Sequence, residues 1–161
     1  MLLEPREKEL AAIGASIGCT CRPCAEHHIP AGREAGLSET ELADAVAIAR
    51  AIRDDAISLL SARVDELLGG AAPASGYPAT VADSFTSRDE ELVALGASIG
   101  ANSHPLLRRH LAAAHEVGLS SAQVAAAAKT AAYVQRRAAE ITAEKTRQVL
   151  MELGAGAASA R

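Results

Sequence analysis

The chain has 161 residues, a formal net charge of −4, 49% hydrophobic residues and only 2% aromatics. That length suits one compact domain or two small half-domains. There is no long run of one charge sign, no 18-residue apolar stretch, and the segment from Met1 to Glu9 is too charged for a signal peptide, so nucleic-acid binding, a membrane span and secretion are disfavoured and a cytoplasmic protein is expected.

The apolar residues are mostly Ala, Leu, Val and Ile. Small side chains let helices approach closely, but each buries little area. A bundle built from them needs further burial, between repeats or between subunits.

The first predicted helix has Leu3, Leu10 and Ile17 seven apart with Ile13 between them, giving one apolar stripe. Pro5 suits its first turn, and Gly18 followed by Cys-Thr-Cys ends it. A second helix starts near Pro23 and stops at Gly36, a C-terminal cap position, with Pro30 inside it expected to kink or loosen it. Ser38-Glu-Thr-Glu41 is a capping box that opens a third helix running to Leu68, with a possible break at Arg53–Asp55. Residues 69–87 are rich in Gly, Pro, Ala and Ser and form a linker, which Tyr77 and Phe85 are placed to dock on the surface.

Beyond the linker the pattern returns. Glu9-Leu-Ala-Ala-Ile-Gly-Ala-Ser-Ile-Gly18 recurs as Glu91-Leu-Val-Ala-Leu-Gly-Ala-Ser-Ile-Gly100, an offset of 82 residues without gaps. The correspondence continues through Pro23/Pro105, His28/His110, Glu34/Glu116 and Gly36-Leu-Ser38/Gly118-Leu-Ser120, and about half the positions from Glu9 to Ser38 match. Ser120 to Gln123 repeats the capping signal, and strong helix formers follow to Leu153. The organisation is therefore an all-α bundle of two repeated multi-helix units, 1–68 and 88–153, joined by the 69–87 linker and followed by a tail at 154–161 expected to be disordered. The Gly-Ala-Ser-Ile-Gly segments point to close helix packing; no strand precedes them and no lysine follows, so they are not phosphate loops.

The chemistry is concentrated in the first unit. All three cysteines, Cys19, Cys21 and Cys24, fall within six residues. An odd number packed so tightly is no structural disulfide framework; it points to redox chemistry or metal binding. On a helix, Cys21, Cys24 and His28 are spaced i, i+3 and i+7 and project within about 60° of one another. Cys24 lies near the helix N-terminus, where partial positive charge stabilises a thiolate, and Cys21 is close enough to bond with it. His28 lies one turn beyond Cys24 as a base. Arg22 is either an electrostatic aid to the thiolate or an exposed arginine; His27 lies off the stripe, and His104, His115, Arg108 and Arg109 read as surface.

The pattern Glu9–x11–Cys21–x2–Cys24–x3–His28, followed by Gly36-Leu37-Ser38, resembles the alkylhydroperoxidase D-like branch of the carboxymuconolactone decarboxylase family, over nearly all of each repeat. The resemblance implies an all-helical fold and reduction of alkyl hydroperoxides. Cys24 would attack the peroxide, Cys21 would resolve the sulfenic acid as a disulfide, and Glu9 with His28 would relay protons. It also implies no cofactor besides the Cys21–Cys24 disulfide, a dithiol reductant protein (lipoyl-bearing or thioredoxin-like), and a homo-oligomer, for a two-unit chain a trimer.

Two departures stand against a simple transfer. Cys19 is a third thiol able to intercept the sulfenate. In the second unit the cysteine positions hold Ser103 and Leu106, yet Glu91 and His110 remain, so a Glu–His pair that merely ties two helices is a competing reading of Glu9 and His28. The rival functions are a zinc or copper(I) site from Cys19, Cys21, Cys24 and His27 or His28, the lactone decarboxylation that names the wider family, and a non-catalytic scaffold.

Overall fold

The computed structural model describes residues 3–70 and 85–159. Among them are six helices: α1 (Pro5–Gly18), α2 (Arg22–Glu34), α3 (Glu39–Leu67), α4 (Ser87–Gly100), α5 (His104–Glu116) and α6 (Ser121–Ser159). Every helix of the first unit starts 82 residues before its counterpart, so the sequence repeat is a repeat of structure.

Local chemistry sets the boundaries. α1 opens on Pro5 behind a reciprocal cap in which the Glu4 N–H donates to Glu7 at 2.8 Å. α2 ends where Gly36 takes φ +95°, and the Leu37 N–H closes back on the Gly32 carbonyl at 2.9 Å. Gly118, at φ +82°, does the same for α5. A left-handed residue at this point satisfies the last carbonyls of a helix, and glycine adopts it without steric cost. α3 opens on the capping box, with the Glu41 N–H donating to Ser38 Oγ and the Ser38 N–H donating to Glu41 at 2.8 Å. Ser120 and Gln123 repeat this for α6.

Several expectations change here. Pro30 does not interrupt α2; it and Glu26, whose carbonyl loses its helical partner, both lie on the exposed face, where an unpaired carbonyl costs least. α3 passes Arg53–Asp55 unbroken. α6 continues through Gly154 to Ser159, where a disordered tail was expected; adding a turn to an existing helix costs far less than starting one, even across glycine. Phe85 packs against the core, whereas Tyr77 lies outside the described residues.

α1 and α4 form the centre. Gly14 and Gly18 face the carbonyls of Val93 and Ala97, and Gly96 and Gly100 face those of Ala11 and Ala15. Contacts that advance together along both helices make them parallel, and the exchange of partners relates the units by a pseudo-two-fold. Ion pairs repeat this relation: Arg6 meets Asp89 at 2.8 Å and Arg88 meets Glu7 at 2.8 Å. α1 is thus buried well beyond its predicted stripe, with Ala11, Ala12, Ala15 and Ser16 also inaccessible. α3 and α6 each pack across both central helices, so the third helix of one unit covers the other unit as well as its own. Among the described residues no helix is long and apolar enough to cross a membrane.

Arg6 also reaches Glu41 at 2.6 Å, tying α1 to α3. The Ser38 N–H and hydroxyl, with Arg6 after them, pull the Glu41 carboxyl down to about 2. A carboxyl lowered on folding stabilises above its ordinary range and loses that contribution as pH falls toward its folded value. Glu41→Gln is therefore expected to lower the Tm at pH 7 and to narrow the Tm difference between pH 7 and pH 3, as thermal unfolding at the two pH values will read.

Candidate active site

The site is built by the turn between α1 and α2. Thr20 adopts φ +53°, reversing the chain so that Cys21 becomes the N-cap of α2. Cys21 therefore lies just outside the helix, not on its wheel. It meets Cys24 because an N-cap side chain folds toward the third helical residue, here accepting from the Cys24 N–H at 3.2 Å. The two are joined as a disulfide, with Cα atoms 5.3 Å apart. Pro23 fits this first turn, where a missing N–H leaves no helical bond unmade.

Both cysteines are buried, Cys21 8% and Cys24 6% exposed, in a small apolar cluster with Ala12 and Ala15 of α1 and Ala131 and Val134 of α6. The site of the first unit is thus roofed by the third helix of the second. Below it, His28 Nδ1 lies 2.9 Å from Glu9 Oε2, linking α2 to α1. With the carboxylate accepting, Nδ1 carries the proton and Nε2 is the basic nitrogen.

Cys24 and His28 line one cavity of about 290 Å³, closed by His27, Tyr133, Val134 and Arg137. His27 is exposed and stacks edge-on against His28 with ring centroids 4.8 Å apart. Cys21 and Cys19 open instead onto a groove of about 1110 Å³ along the outer half of α6. Cys19 is half-buried and donates to the Ser16 carbonyl; burial pushes its thiol up, leaving it less thiolate than a free cysteine at neutral pH. Arg22 is exposed and pairs with Glu26 at 2.6 Å, so its charge is matched along its own helix.

The second unit repeats the scaffold without the thiols. Ser103 caps α5 in the place of Cys21 but makes no side-chain capping bond, and Leu106 replaces Cys24 and joins the main core. His110 Nδ1 still lies 2.9 Å from Glu91 Oε2. A helix-tying role belongs to both Glu–His pairs, since it persists where no sulfur remains. The metal set of Cys19, Cys21, Cys24 and histidine is not assembled: Cys21 and Cys24 bond each other, and among the described residues no three His, Cys, Asp or Glu side chains are grouped to hold an ion.

Tyr133, Val134 and Arg137 were not anticipated as site residues. The available signal was divergence. The first helices of the two units share most of their residues, whereas their third helices share few, as expected if only one of them covers a dithiol.

The fold and site define a tandem all-α protein with a Cys-x-x-Cys pair at a helix N-terminus, an arrangement that fits a redox role. The model of the carboxymuconolactone decarboxylase family matches residues 2–62, within the first unit. The second unit lies outside that match and is tied to the first by the repeat. No curated protein and no solved structure matches the chain significantly.

Proposed function

We propose that the protein is a cytoplasmic dithiol peroxidase of the alkylhydroperoxidase D-like branch, reducing alkyl hydroperoxides without a cofactor other than the Cys21–Cys24 disulfide. The observation that carries this reading is that Cys24, already bonded to Cys21, shares a cavity with the histidine that Glu9 orients. Cys24 thiolate attacks the peroxide oxygen, the O–O bond breaks, and an alcohol leaves with the sulfenic acid behind. Cys21 then displaces that oxygen as water and closes the disulfide. His28 takes and returns the protons, and Glu9 is its positioning residue. A dithiol protein, lipoyl-bearing or thioredoxin-like, returns two electrons.

Assembly as a homotrimer belongs to the same proposal. Ile57, Leu60, Val64 and Leu67 recur along one face of α3 and are exposed. Stripes of this kind mark association surfaces.

The direct test adds one equivalent of tert-butyl hydroperoxide to the reduced protein and maps thiols by alkylation and mass spectrometry. A Cys21–Cys24 disulfide within seconds, with Cys19 still free, is expected. Three unreacted thiols would sink the peroxidase and move attention to lactone decarboxylation, the reaction in the family's name. His28→Ala and His110→Ala separate catalysis from structure. Both should lower the Tm similarly, but only His28→Ala should raise the pH at which the Cys24 thiol becomes alkylatable. An unchanged alkylation profile would leave His28 as a helix tie alone.

A further inference from the structure

The two cysteines of the disulfide line different spaces. Cys24 lines the 290 Å³ cavity and Cys21 does not; Cys21 lines the 1110 Å³ groove and Cys24 does not. The two spaces meet only at Pro23 and Ile141, which form their common wall. The smaller one carries His28 beside Cys24, as a peroxide needs. The larger one offers no histidine or carboxylate; it is walled mainly by Ala138, Ala139, Val149 and Leu150, with Arg22 and Lys145 as its charged residues. A mostly apolar trough whose reactive atoms are sulfurs suits a thiol on an aliphatic body, and its volume admits a molecule too long for the cavity.

We propose that the disulfide is served through two entrances: the oxidant reaches Cys24 through the cavity, and an aliphatic dithiol docks in the groove and attacks Cys21. The dithiol's first thiolate bonds to Cys21 Sγ, the Cys21–Cys24 bond breaks, and its electron pair leaves with Cys24 as a thiolate at the N-terminus of α2. The dithiol's second thiolate then attacks its own bonded sulfur, releasing Cys21 and leaving as the cyclic disulfide. Two electrons pass to the protein. α6 of the second unit thereby contributes the reductant site for the first unit's thiols.

The inference rests on the reading above only for the identity of the oxidant, and its test does not need peroxide. The whole chain with Cys19→Ser is oxidised with diamide, exposed briefly to excess 6-mercaptohexanol, quenched in acid and alkylated. Mass spectrometry is expected to find the hexanol adduct on Cys21 and the alkylating agent on Cys24; an adduct mainly on Cys24 overturns the proposal. Substitutions on exposed positions of α6 give a second readout. Ala139→Trp, in the groove, should lower the ratio of dithiothreitol reduction rate to tert-butyl hydroperoxide oxidation rate by tenfold or more, and Arg137→Trp, at the cavity, should move it the other way. Equal effects on both half-reactions mean a single entrance. Should peroxide oxidise nothing, the adduct position and the reduction rates with dithiothreitol still decide the question.

Discussion

Cys24→Ser is expected to reduce peroxide consumption to the uncatalysed background, whereas Cys21→Ser is expected to support one turnover and stop. Serine at 24 keeps the shape of the turn but replaces a thiolate with a hydroxyl that stays protonated at neutral pH. Serine at 21 leaves the nucleophile in place and removes the sulfur that Cys24 bonds in the structure. The sulfenic acid formed on Cys24 then has no second sulfur across the first turn of α2, and it persists as a one-oxygen mass increase that dimedone captures. Cys19 is the only other thiol in the chain; it is half-buried, its proton bound to Ser16, and burial disfavours its thiolate. Slow capture of the sulfenate by Cys19 is the expected limit on the lifetime of that species. Steady turnover by Cys24→Ser, or a dimedone adduct on Cys21, would reverse the assignment of the two sulfurs.

Gly14→Ala and Gly96→Ala are expected to be the most damaging single-methyl changes in the chain. Within a helix, alanine is normally favoured over glycine by about 1 kcal/mol. Here the added Cβ would fall well inside 3.0 Å of a backbone carbonyl on the facing helix, Val93 for Gly14 and Ala11 for Gly96. A carbonyl on a buried helix cannot swing aside as a side chain does. α1 and α4 must separate, and every contact along the central pair loosens. Overpacking of this kind costs about 1–3 kcal/mol, and with rigid backbone on both sides the upper end is expected even after the propensity gain. A net loss of about 2 kcal/mol lowers the Tm of a chain this size by roughly 4–8 °C. Gly36→Ala is the control: nothing lies within 4 Å of the added carbon, and only the φ of +95° is strained. Thermal unfolding of the three variants tests the packing, and a Gly14→Ala protein as stable as the parent would show that the helices lie farther apart.

Much of this architecture was legible in the chain because it is written twice. The 82-residue repeat located both units, Gly36 and Ser38 marked the end of α2 and the start of α3, and their copies did the same near residue 120. Such signals are local: a left-handed glycine or a capping box is satisfied within a few residues and needs no knowledge of the fold. The pairing of Cys21 with Cys24 was legible for the same reason, although the cap geometry that joins them is not the helical stripe expected from their spacing.

Spacing could not say what lies opposite each element. That Gly14 meets Val93, that Arg6 answers Asp89, and that α6 closes over Cys21 and Cys24 all depend on contacts between residues far apart in the chain. Nor could it separate the spaces lined by the two cysteines, since the residues those spaces share, Pro23 and Ile141, are 118 positions apart. The amino-acid sequence alone determined an all-α tandem with one dithiol, because propensity, capping and periodicity act over a few residues; the two Glu–His contacts join separate helices and are fixed by their packing. Only the tertiary structure decided which helix covers the dithiol and through which faces it is reached, because burial is settled by whatever surfaces remain to be shielded from water once the two units dock.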